Sequence, residues 1–175
     1  RIGPGKDDKD IQVYSINQVF VQSLFDAEGK ILALHIDQLE VASPNYDGAG
    51  MPHFSGYPGQ TPYSSDLDHD GKADESVPEV TEDSFLEEIA SWQTKRARGE
   101  GYKMGTGTWS SQADKYEQLF VGKTVAEVEE WFGKYTAGNG RPLKAEQKNE
   151  EDAKKYEARS ADEKAMLADV TSSAT

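Results

Sequence analysis

Apolar and polar positions alternate in two neighbouring runs near the start of the chain. In IQVYSINQVFVQSLF (Ile11 to Phe25) β-branched and aromatic residues dominate, with Val19, Val21 and Phe25 on one face. In ILALHIDQLEVAS, which begins at Ile31, Leu32, Leu34 and Ile36 alternate in the same way. DAEGK (Asp26 to Lys30) joins the runs and offers Gly29 for a positive φ. Period-two strands linked by a short Gly-bearing loop predict a β-hairpin.

The period is lost over residues 43–80, where Gly, Pro, Ser, Asp and Tyr crowd together. That composition predicts a long loop or insertion, with Tyr46, Phe54, Tyr57 and Tyr63 as packing points. Helical spacing starts after Thr81 with Phe85, Ile89 and Trp92, and the basic TKRAR run suits a helix C-terminus. A glycine-rich bridge, GEGYKMGTGTW, leads to SSQADKYEQLF and Gly122. TVAEVEEWFGKY then opens on a capping box, Thr124 with Glu127, and sets Val125, Val128, Trp131 and Phe132 on one side. The charged stretch from Lys144 to Arg159 predicts a solvated helix. SADEKAMLADV offers a second capping box, Ser160 with Glu163. Strands first and helices afterwards predict an α+β fold: an N-terminal antiparallel hairpin or sheet packed with several helices. Residues 1–10 read as a tail and 11–175 as one domain, with 43–80 as its insertion.

Composition narrows the function. Only 35% of the 175 residues are hydrophobic, so the core comes from a few strong segments. The net charge of −13 disfavours nucleic acid and anionic membrane surfaces as partners. It fits cation binding, high solubility or a place outside the cytoplasm. The absence of cysteine removes disulfides, thiolate metal sites and thiol nucleophiles. The chain opens on Arg1 rather than Met, and both ends read as cut points. His35, His53 and His69 are scattered and read as strand or loop residues. No Ser/His/Asp arrangement, zinc spacing or phosphate-binding glycine loop is present.

DLDHDGKAD, Asp66 to Asp74, has the front of a calcium loop: Asp66, Asp68, Asp70 and Asp74 at positions 1, 3, 5 and 9, Gly71 at 6 and Lys72 at 7. The closing position 12 is Val77 in place of Glu. A weak or structural Ca²⁺ site and an ion-free acidic turn both fit this pattern.

The chain ends on DVTSSAT. A hydroxyl that accepts a covalent group must be open and flanked by small residues. Asp169, two free positions, then Ser172, Ser173, Ala174 and Thr175 meet that demand. The order resembles the Asp-x-x-(Ser/Thr)-(Gly/Ser)-Ala-Thr signature of proteins that carry FMN attached through its phosphate to the final Thr. A polar helix exit explains any one of these residues but not the ordered set. With the hairpin, WQTKRARGEGYKMGTGTW and ADEKAMLADVTSSAT, the chain resembles the extracytoplasmic FMN-binding domain proteins of anaerobic Gram-positive bacteria. These are similar in their flavin domain to the flavoprotein subunits of NADH:quinone and ferredoxin:NAD oxidoreductases. The likeness covers most of the chain outside residues 50–80, and Ser173 stands where Gly is commoner.

The resemblance implies that Thr175 Oγ is the attachment atom and that a separate flavin transferase, reading Asp169 and the small residues after it, installs the FMN. It implies a secreted or surface-anchored electron carrier serving redox donors and acceptors at the cell surface, with self-assembly into arrays left open. The chain is expected to continue past Thr175. Trp92, Met104, Trp109 and the backbone of Gly105, Thr106, Gly107 and Thr108 are candidates for the ring pocket, and the two Trp fit equally as core residues on helix faces. A calcium-dependent interaction or adhesion module built on Asp66 to Asp74 is the second reading, and a flavin reductase of a small molecule the third.

Overall fold

A computed structural model describes the chain apart from residues 1, 7–9, 11, 45–50, 61–63, 69, 77, 147–148 and 173–175. It divides into two compact units. One comprises Arg1–Val19 and Gln38–Tyr102, the other Phe20–Asp37 and Lys103–Thr175. The fold is α+β, as the pattern predicts.

The hairpin forms from β2 (Gln12–Phe25) and β3 (Ile31–Ala42). β1 (Ile2–Lys6), inside the expected tail, pairs antiparallel with β2 from Ile2↔Ile16 to Lys6↔Gln12, giving a sheet ordered β1-β2-β3. The turn is built by Asp26, whose Oδ1 accepts from the amides of Glu28 at 3.0 Å and Lys30 at 2.8 Å. Gly29 sits at φ +79°, where a side chain would be strained. Val19, Val21 and Phe25, expected on one face, are all exposed.

In the first unit, the described residues of the 43–80 segment include the two-residue strands β4 (Ser64–Ser65) and β5 (Glu75–Ser76), paired with each other. α1 (Glu82–Ser91) starts at Thr81 with a reciprocal capping box to Ser84. Phe54 and Tyr57 pack on Phe85, and Phe54 meets Trp92 edge-on at 6.2 Å. Tyr46 and Tyr63 lie outside the described residues. α1 stops before the basic run: Trp92 is extended at its C-cap, and its indole N–H donates to the His53 carbonyl at 2.8 Å. TKRAR therefore forms a turn beyond the helix instead of its last turn. There Lys95 is buried against Glu40 at 2.8 Å and Arg98 stacks on Tyr102 at 4.4 Å.

In the second unit, a short hairpin of β6 (Lys103–Met104) and β7 (Gly107–Thr108) feeds α2 (Trp109–Phe120). α3 (Val125–Tyr135), α4 (Glu150–Glu157) and α5 (Ala161–Met166) follow. Ile31, Tyr116, Leu119, Phe120, Trp131, Leu167 and Val170 form the buried cluster, and Leu34, Ile36, Val128 and Phe132 pack on it. Backbone bonds between Ile31 and the Gly122–Lys123 link hold the hairpin to the α2–α3 connection, at 2.7 and 2.9 Å.

Three further helix expectations change. The Thr124–Glu127 capping box forms as read, but Val125, in the first turn of α3, is exposed. Within the charged Lys144–Arg159 stretch the helix runs from Glu150 to Glu157, and Arg159 is buried rather than solvated. Its guanidinium donates to the carbonyls of Leu143 at 3.0 Å and Glu163 at 3.2 Å. Ser160 caps α5 by accepting from the Glu163 amide, but the Glu163 carboxylate turns away to the Trp131 indole N–H at 3.4 Å instead of closing the box.

Trp131 touches Tyr116, Phe120, Phe132 and Tyr135. Trp131→Ala is expected to cost about 3–5 kcal/mol of stability by urea unfolding, the range for an emptied aromatic site.

Candidate functional site

The site is built where the chain leaves α5 and runs back onto α2. Val170 is fully buried and plugs the core, which fixes where the following residues lie. Gln112, Lys115 and Tyr116 stand on one face of α2, separated by helical spacings of three and four. Each takes a different part of the segment.

Gln112 is 1% exposed and uses both ends of its amide. Its Oε1 accepts from the backbone amides of Thr171 at 2.9 Å and Ser172 at 2.8 Å. Its Nε2 donates to the hydroxyls of Thr106 at 3.0 Å and Thr171 at 3.3 Å. Backbone N–H groups only donate, so the carbonyl end must face them and the amide orientation is fixed. The Thr106 hydroxyl passes the chain on by donating to the Asp169 carbonyl. Tyr116 Oη donates to the Ser172 carbonyl at 3.0 Å, and burial holds its phenol well above the ordinary range. Four consecutive residues, Asp169 to Ser172, are thereby fastened through backbone or core.

Cations surround the start of the segment. Lys115 Nζ pairs with the Asp169 carboxylate, and that hydrogen bond holds the acid below its usual range. Lys144 Nζ donates to the carbonyls of Leu167 at 2.5 Å and Ala168 at 2.9 Å, covering the end of α5. Burial, then the Arg159 charge, pushes the Lys144 amine below its ordinary range. Lys144, Arg159 and Lys164 line a cavity of about 280 Å³ with Tyr156.

Of the expected site residues, Asp169 and Ser172 are brought together with Thr106. Met104, Gly105, Gly107 and Thr108 belong to the same short hairpin, and Thr108 caps α2 by accepting from the Ser111 amide at 3.1 Å. Gly107 sits at φ +127°, where a side chain is strained, and a Cβ there would press on Ser111 Oγ at 3.0 Å. Trp109 is buried at the first turn of α2. Trp92 belongs to the first unit, in the Phe54 aromatic cluster. Ser173, Ala174 and Thr175 lie outside the described residues.

In the acidic loop, Asp66 and Asp68 group with Glu75, while the Asp70 carboxylate pairs with Lys72, and Asp74 is exposed. His35 lies 3.7 Å from Glu117, and His53 engages Trp92 through its carbonyl; His69 and Val77 lie outside the described residues.

Sequence reading missed Gln112, Lys115, Tyr116 and Lys144. The available signal was a Gln and a Tyr at i, i+4 on the apolar face of α2, where a polar Gln needs a partner. Gln112→Leu leaves two backbone amides without their acceptor. It is expected to cost about 2–4 kcal/mol by urea unfolding, with faster amide exchange at Thr171 and Ser172.

No protein-family model matches the chain, and no solved structure matches it. The chain is 33% identical over 173 residues to a protein of Desulfitobacterium hafniense named chlorophenol reductase. The alignment takes in 92% of this chain but 45% of that protein, so the chain spans less than half the length of the curated relative. Among the described residues, no helix is long and apolar enough to cross a membrane.

Proposed function

We propose that this chain is an electron-transfer flavoprotein domain that carries FMN through a phosphoester on Thr175 and works outside the cytoplasm. The observation that carries the reading is the fastening of Asp169 to Ser172 onto α2 by Gln112 and Tyr116. A plain helix exit has no need of a buried amide spent on two consecutive backbone N–H groups. Support also comes from the ordered set Asp169, Ser172, Ser173, Ala174 and Thr175 and from the reductase name of the D. hafniense relative.

In this reading a flavin transferase uses FAD as donor. The Thr175 Oγ–P bond forms, the pyrophosphate P–O bond of FAD breaks, AMP leaves, and the threonine proton goes to solvent. Bound flavin supplies one- or two-electron transfer, and the attachment leaves its ring chemistry unchanged. The protein then has two tasks. Gln112, Tyr116 and Thr106 hold the tail to which the group is tied. The Met104–Trp109 hairpin, whose Thr106 touches Asp169, supplies backbone and side-chain surface beside it. A tethered cofactor also suits an extracytoplasmic setting, where a dissociable one is lost by dilution. The electron partners are membrane-side donors and external acceptors.

Co-production of the chain with a flavin transferase tests the reading. The unsubstituted protein is expected to give a flavin-fluorescent band after denaturing electrophoresis, and Thr175→Val none, with unchanged circular dichroism. A fluorescent Thr175→Val band of equal strength contradicts the attachment.

A further inference from the structure

The loop between β4 and β5 gathers three carboxylates that lie apart in sequence. One oxygen each from Asp66, Asp68 and Glu75 lies within 4.8 Å of the others. β5 sets Glu75 by pairing it with Ser65, directly before Asp66. Glu75 Oε2 accepts from the Leu67 amide at 3.1 Å, which draws the end of the loop onto its beginning. Asp68 Oδ1 accepts from the Asp70 amide at 3.1 Å.

Asp66 sets this cluster apart from an ordinary acidic turn. It is fully buried at 0% exposure. Its Oδ2 accepts from the Gly71 amide at 3.1 Å, and its Oδ1 has no hydrogen-bond partner among the described residues. A buried carboxylate oxygen with no donor carries a desolvation cost that native structures almost always offset. Two further carboxylates stand beside it where a donor is expected. Lys72 does not reach in, because its amine is taken by Asp70.

We propose that Asp66, Asp68 and Glu75 form a calcium site that closes the 66–75 loop. A cation satisfies the open Asp66 oxygen and removes the mutual repulsion of the three acids in one step. The donors are all hard oxygens, which selects calcium or magnesium over softer metals. Magnesium keeps most of its waters and is held through one or two carboxylates, whereas calcium takes several protein oxygens in a flexible geometry, so a cluster of three carboxylates favours calcium. Glu75 takes the part of closing acid that Val77 cannot, two positions earlier than the linear spacing suggests. Asp70 and Asp74 lie outside the ligand set. The site is independent of the flavin reading.

Titration of the chelator-treated full chain with CaCl₂, followed by amide NMR, tests the site at two reporters, the Leu67 and Gly71 N–H groups. Both are expected to shift together and saturate with a Kd of about 10⁻⁴–10⁻³ M, as in low-affinity calcium modules. Glu75→Gln and Asp68→Asn, each with unchanged circular dichroism, are expected to weaken binding about tenfold or more, and Asp70→Asn less than about threefold, following the loss of a ligand charge in the first two alone. Asp68→Asn keeps the proposal testable if Glu75→Gln disturbs β5. No saturable shift by 10-fold above that range, equal saturation by MgCl₂, or loss of binding in Asp70→Asn with retention in folded Glu75→Gln overturns it.

Discussion

A single buried carboxamide organises the Asp169–Ser172 segment. Gln112 lies in a helix face otherwise made of Ala113, Tyr116, Leu119 and Phe120, where an unpaired amide is costly. It is tolerated because two backbone amides and two threonine hydroxyls meet it. The converse holds with equal force. The amides of Thr171 and Ser172 leave water because Gln112 waits for them, so the course of the tail is set by α2 and not by its own propensity. A fully satisfied buried network of this kind specifies one arrangement more sharply than apolar packing alone.

Packing and polarity act on the same few residues. Leu167 and Val170 close the core that Trp131 and Tyr116 open, and the segment between them turns its carbonyls to Lys144 and Thr106. The small side chain of Ser172 costs little core volume, because the anchoring is done through its backbone. The tail can thus be small, polar and still held. Those three properties are what a covalent attachment segment requires.

Local elements were legible in the sequence because they depend on neighbours along the chain. The hairpin followed from period two and Gly29, and α3 from Thr124 and Glu127. What failed depended on tertiary partners. Trp92 ended α1 because its indole found His53. Glu163 left its capping box for Trp131, and Arg159 went inside because two carbonyls and the Trp131 ring received it. The role of Gln112 was hidden for the same reason: its partners lie 59 and 60 positions away. In the acidic loop, linear spacing picked out Asp66 and Asp68, while Glu75 entered through the β4–β5 pairing.

The account therefore rests on one proposition, that the tail is held in order to carry something. Intact mass and visible spectrum of the native protein, recorded before and after denaturation and desalting, test it most directly. The account predicts yellow colour and an added mass of FMN less water that both persist, with fragmentation placing the group on Thr175. Colourless, unmodified native protein with an intact C-terminus would contradict it and leave the Gln112 clamp as a structural device alone.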